Sequence, residues 1–240
     1  MTGKKQAGMP DWEQWREFIQ RQATGLGLTV TGDQARCFAV HARELTDWNR
    51  KINLTAITDP TETAVKHFLD SLAPARFIPD KASLLDVGTG AGFPGIPLKI
   101  VRPSLSLTLI DGTLKKINFV RHVIQSLELD RTAALHARAE SLGRDPAFRG
   151  AFDVVICRAL GPLPDFVRVA APLLRENGRL IAMKGRRAEE ELEQLEKLKL
   201  PLGPKKVAVK EAFKIDLHPY TLPASGDQRA LIVLTLTAHF

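Results

Sequence analysis

Between residues 11 and 72 the apolar positions recur with the period of a helix. In DWEQWREFIQRQA (11–23), Trp12, Trp15, Phe18 and Ile19 fall on one stripe behind Asp11, a short acceptor suited to capping the first turn. TGDQARCFAVHARELTDW (31–48) predicts a second helix that turns Phe38, Leu45 and Trp48 inward. TETAVKHFLDSL (61–72) predicts a third, striped by Val65, Phe68, Leu69 and Leu72. Residues 11–79 therefore read as a helical cap, preceded by a polar lead-in, 1–10, expected to be flexible.

After Pro79 the pattern changes. Short β-rich runs (SLLDV, SLTLID, TAALHA, FDVVICR, GRLIAMK) alternate with helical ones (GIPLKIV, TLKKINFVRHVIQSL, PLPDFVRVAAPLL, EEELEQLEKL). That alternation predicts a doubly wound α/β domain over 80–240, a parallel sheet with helices on both faces. Near the end, KKVAVKEAFKI and RALIVLTLT read as two strands with no helix between them. Such strands are most simply antiparallel, which makes the sheet mostly parallel and seven-stranded.

Composition adds little to the fold but points to partners. The chain has 240 residues, 44% of them hydrophobic, and a net charge of +7. The excess of cations suits a polyanion such as nucleic acid, although a mildly basic protein needs no such partner. Cys37 and Cys157 fit no metal spacing, and Cys157, inside VVICRAL, reads as a buried reduced thiol of a cytoplasmic protein. No apolar run approaches the roughly 20 residues of a membrane span, and the first ten residues lack the apolar core of a signal peptide.

The chemistry concentrates in LLDVGTGAGFPG (84–95). Gly90-Ala91-Gly92-Phe93-Pro94-Gly95 matches G-x-G-x-x-G, a weak signal for a dinucleotide site. The other parse is Asp86 at a strand end followed by Gly88, Gly90 and Gly92. A carboxylate there would repel a pyrophosphate but suits the cationic methionine end of S-adenosylmethionine, which has no phosphate. The second parse is favoured. Asp111 ends the next strand, where a carboxylate can hold both ribose hydroxyls, or cap the helix that follows. Ala139 and Glu140, after the third strand, would lie beside the adenine edge.

At this point WNRKINLTAITDPTETAVKHFLDSL, LLDVGTGAGFPGIPLKIVRP, CRA at 157–159 and AMKG at 182–185 together resemble the glucose-inhibited division protein B family. Its members are bacterial methyltransferases acting on guanine N7 of 16S ribosomal RNA in the small subunit. The resemblance covers roughly residues 45–190. It implies the class I methyltransferase fold, S-adenosylmethionine as cofactor, and cofactor contacts at Gly88, Phe93, Asp111, Gly112, Thr113, Ala139, Glu140 and Arg158. It also makes Lys51, Asn53 and His67 candidates for the substrate cleft, beside Thr55 and Asp70. A monomer is expected.

The fourth-strand tip reads Ile156-Cys157-Arg158-Ala159-Leu160-Gly161-Pro162, without the Asp/Asn-Pro-Pro-aromatic motif used on exocyclic amino groups. That suits an endocyclic nitrogen whose lone pair already lies in the ring plane. Arg158 would be repelled by a sulfonium, so it suits the methionyl carboxylate or an RNA phosphate. Lys184, Arg186 and Arg187 follow the fifth strand at the ligand edge of the sheet and are expected to hold RNA phosphates. No catalytic residue is expected. The alternatives are an NAD-dependent oxidoreductase using the glycine loop, and a non-catalytic RNA-binding module.

Overall fold

A computed structural model describes residues 10–202 and 205–237. The lead-in expected to be flexible lies outside the described residues except for Pro10. Helix α1 (Trp12–Ala23) starts as its sequence requires, with the Asp11 carboxylate accepting from the Glu13 and Gln14 amides. Helix α2 (Gly32–Asn49) carries a capping box between Thr31 and Gln34.

The third apolar stripe is not one regular helix. It opens as α3 (Pro60–Thr63), widens into a π-helix over Ala64–Leu69 and closes as α4 (Asp70–Leu72). The Asp70 amide reaches back five residues to the Val65 carbonyl. The wider turn buries two polar residues, His67 and Asp70, beside Val65, Phe68 and Leu69. Sequence periodicity cannot show this, because a single π turn is a local slip in an otherwise helical pattern.

The α/β part runs β1 (Ser83–Val87), α5 (Gly95–Val101), β2 (Ser106–Asp111), α6 (Leu114–Ser126), β3 (Thr132–His136), α7 (Ala139–Leu142), β4 (Phe152–Arg158), α8 (Leu163–Ala170), β5 (Leu174–Lys184) and α9 (Ala188–Glu196). It ends in β6 (Lys199–Leu202), β7 (Lys205–Ala208), α10 (Val209–Ala212), β8 (Phe213–Thr221) and β9 (Gln228–Leu236). The main sheet has seven strands in the order β3-β2-β1-β4-β5-β9-β8. The first five are parallel, and β9 runs antiparallel to both β5 and β8.

One expected strand is corrected. KKVAVKEAFKI does not form a single strand: β7 pairs with β6 in a separate hairpin, and α10 interrupts the run. Only from Phe213 does the chain join the main sheet, and it then continues to Thr221. That continuation, FKIDLHPYT, is an edge strand. It is covered only in part, so it carries Lys214, Asp216 and His218 and tolerates Pro219, and it lacks the apolar signature of a central strand.

Alternate residues of the strands feed two apolar clusters. Leu84, Val154, Ile181 and Val233 pack with Ile96, Phe119 and the cap residues Trp15, Ile19, Phe38 and Phe68. Leu85, Val155, Leu180 and Ile232 pack on the other face with Phe166 and Leu195. Cys157 is in that second cluster, and burial raises its thiol well above the usual range, as expected of an inert thiol. The order of strands reverses between β1 and β4, so the carboxyl ends of β1, β2, β4 and β5 open a crevice at that switch point.

Candidate functional site

The loop after β1 is held by two aspartates. Asp86 is fully buried, and its Oδ2 accepts from Thr89 Oγ1 at 2.7 Å and from the Gly95 amide at 2.8 Å. Burial raises its pKa to about 6 despite those hydrogen bonds. Asp111, at the tip of β2, accepts from the Gly90 amide at 3.1 Å and from the Thr113 amide at 2.8 Å. The loop itself needs glycine at position 88. Its φ is +70°, and a Cβ there would lie 2.4 Å from Leu160 Cδ1.

Beside this loop lies a cavity of about 400 Å³ lined by Gly88, Asp111, Gly112, Thr113, Ala139 and Glu140. Leu160 and Phe166 close its apolar side. Six of the residues expected at the cofactor thus converge on one nucleoside-sized space. Three others are placed differently. Asp86 lines no such space; it sits behind the loop and braces it, with Oδ1 buried and without a partner. Gly90 contributes its amide to Asp111. Phe93 is 3% exposed and packs inside, its ring 4.7 Å from both the His41 and His67 rings and nearly parallel to each.

Arg158 belongs to a second, larger cavity of about 780 Å³ between the strand tips and the cap. It shares the lining with His67, Asp70, Lys66, Tyr220 and Arg229. Its guanidinium ties β4 to the π-helix, donating to the Lys66 carbonyl at 2.7 Å and to His67 Nδ1 at 3.1 Å, with Asp70 Oδ2 at 3.4 Å. His67 Nδ1 is therefore the acceptor, and Nε2 carries the proton towards Thr55 Oγ1 at 2.8 Å. Burial, then the Arg158 charge, lower the His67 pKa to about 3. The Tyr220 hydroxyl donates to Asp70 Oδ1 at 2.8 Å, and burial and that carboxylate keep it protonated. Replacing Arg158 by Met is expected to raise the His67 pKa towards the ordinary value near 6.5. Imidazole NMR titration would read the rise; an unmoved pKa would contradict the contact.

The expected substrate residues separate. Lys184 is not an available cation: it is 8% exposed, donates to the Gly161 carbonyl at 2.6 Å and pairs with Glu191 at 2.7 Å. Arg186 and Arg187 are exposed, and Arg187 lines the larger cavity. Lys51 lines a separate depression with Trp48 and His122, and Asn53 is exposed on the cap away from either cavity's lining. Lys66, Glu191, Tyr220 and Arg229 were not anticipated. The sole tyrosine of the chain, in a polar stretch, was the available hint.

A model of the rRNA small subunit methyltransferase G family matches residues 34–218. The chain belongs to that family. Among curated proteins named ribosomal RNA small subunit methyltransferase G, that of Desulfitobacterium hafniense is 39% identical, covering 96% of this chain and 92% of its own. That of Geobacter metallireducens is 43% identical, over 91% of this chain and 95% of its own. A SAM dependent methyltransferase from Aquifex aeolicus superposes with a TM-score of 0.51 at 16% identity, covering 75% of this chain and 94% of that one. M. jannaschii TYW2 in complex with AdoMet gives 0.51 at 15%, with 71% and 75% covered. At such identities the two structures establish the fold.

As a member of that family, the chain is an S-adenosylmethionine-dependent rRNA methyltransferase with the class I fold, and the dehydrogenase alternative falls. Among the described residues, no helix is long and apolar enough to cross a membrane.

Proposed function

We propose that this methyltransferase modifies N7 of a guanine in small-subunit (16S) ribosomal RNA, in the cytoplasm, and does so by placement without a general base. The supporting observation is the pair of cavities on either side of the β4 tip: one sized for a nucleoside, the other bordered by cations and holding no basic histidine.

The cofactor fits the first cavity. Asp111 keeps free lone pairs for ribose hydroxyls beyond the two amides it accepts. Ala139 and Glu140 offer a backbone amide and a side chain to the adenine, while Asp86, buried behind the loop, acts by holding the Thr89 hydroxyl and the Gly95 amide. When bound, S-adenosylmethionine supplies an electrophilic methyl on a sulfonium. The protein supplies orientation. Arg158 is anchored to the cap, so its charge stays fixed at the cavity wall. Tyr220 and Asp70 hold the cap against β8 and β9. Guanine N7 carries no proton at neutral pH, so nothing has to be removed before attack.

Arg186 and Arg187 are proposed to contact RNA phosphates. Neutralising both should lower the slope of log K for RNA against log salt by about 1–2, while leaving cofactor affinity unchanged. An unchanged slope places the contact elsewhere. The function itself is tested by incubating the protein with methyl-labelled cofactor and small-subunit RNA from cells lacking the gene. Digestion to nucleosides should return the label as 7-methylguanosine; label on another nucleoside would refute the reading.

A further inference from the structure

Residues 158–162 form a wall shared by the two cavities. Leu160 lines the smaller one, whereas Arg158, Ala159, Gly161 and Pro162 line the larger. The alternation comes from the backbone: Ala159 has φ +54° and Gly161 φ +91°, left-handed conformations on either side of Leu160. An alanine holds that conformation only where its surroundings impose it.

The surroundings do so at both ends. Upstream, Arg158 is fixed to the Lys66 carbonyl and His67. Downstream, Lys184 Nζ donates to the Gly161 carbonyl at 2.6 Å, and Glu191 accepts from the Leu163 amide at 2.8 Å. The two side chains pair with each other at 2.7 Å, Lys184 being only 6% exposed at its side chain. Their polar atoms are turned onto the loop rather than left to solvent, although burying an ion pair costs desolvation. Between these anchors Leu160 rests against the Gly88 turn.

We propose that the Lys184–Glu191 pair is a latch that positions the 158–162 loop, and that Leu160, held by it, is the partition against which cofactor and target base are aligned. The inference rests on the methyltransferase reading of the two cavities. Lys184 and Glu191 are positioning residues that act through the Gly161 carbonyl and the Leu163 amide. Loosening them leaves the Asp111 side of the cofactor cavity intact but lets the shared wall drift, and a drift of about 1 Å is enough to cost a large factor in rate.

The test measures the single-turnover methyl-transfer rate at saturating cofactor and RNA, beside the cofactor Kd. Leu160→Ala and Glu191→Ala should each slow transfer by about tenfold or more, with the Kd of Glu191→Ala, which lies outside the cofactor cavity, within about threefold of the unaltered protein. Leu160→Met, which restores bulk, and Glu191→Gln, which keeps an acceptor for the Leu163 amide, should regain most of the rate. If Glu191→Ala fails to fold, Leu160→Ala decides, because its side chain is half-buried on a loop. A Leu160→Ala rate within about twofold of the unaltered protein, or a weakened Kd with the rate intact, would overturn the latch. An unaltered protein that moves no methyl to small-subunit RNA would sink the function with it; an active one with equally active variants would sink the latch alone.

Discussion

Asp111→Ala weakens S-adenosylmethionine binding by about tenfold to a hundredfold, the expected cost of roughly 1–3 kcal/mol for losing charge-assisted hydrogen bonds. Two losses add here. The ribose hydroxyls lose their acceptor, and the Gly90 and Thr113 amides lose the carboxylate that holds the glycine loop to the tip of β2. Asp111→Asn keeps the shape and one acceptor oxygen, so it should fall between the two. Isothermal titration of each variant with the cofactor reads the order directly. An alanine variant that binds as tightly as the unaltered protein would show that the cavity beside Gly88 is not the cofactor site.

Acid destabilises the fold, through the two histidines stacked on Phe93. His41 is fully buried with a pKa of about 4, and His67 has one of about 3. Both lie below the unfolded value near 6.5. The unfolded chain therefore binds more protons as pH falls below 6.5, and stability drops with it. Asp86 works the other way. Its folded pKa of about 6 lies above the ordinary carboxylate value, so protonating it below pH 6 favours the native state. By pH 4 each histidine costs about 3 kcal/mol and Asp86 returns about 2, a net loss near 4. His41→Gln keeps a donor for the Ala91 carbonyl but does not titrate. Urea unfolding at pH 7 and pH 4 should show its acid loss smaller than that of the unaltered protein by about 3 kcal/mol. Equal losses would mean that His41 is not held neutral by the fold.

Most of the architecture is legible from period alone. Leu84 and Leu85 on opposite sheet faces, and Phe38 and Phe68 on the cap, follow from spacings of 2.0 and 3.6. The glycine loop and the two strand-end aspartates are equally legible, because they are local features that few other structures require. What the sequence conceals is tertiary. Whether Lys184 meets RNA or Glu191 depends on where α9 packs, and the pairing across 7 residues of sequence looks like an ordinary charged surface. Tyr220 reaches Asp70 across 150 residues. The π turn whose Lys66 carbonyl accepts from Arg158 leaves no mark on the apolar stripe.

Methyl transfer without a base is tested most directly by the pH dependence of the chemical step. His41 and His67 are already neutral at neutral pH, and Asp86 has lost its proton above about pH 6. With cofactor and RNA saturating, the single-turnover rate should therefore stay flat from about pH 7 to 8.5, below the range in which lysines lose charge. A rate that climbs about tenfold per pH unit across that window, and loses the climb in His67→Asn, would show a base at work and contradict transfer by placement.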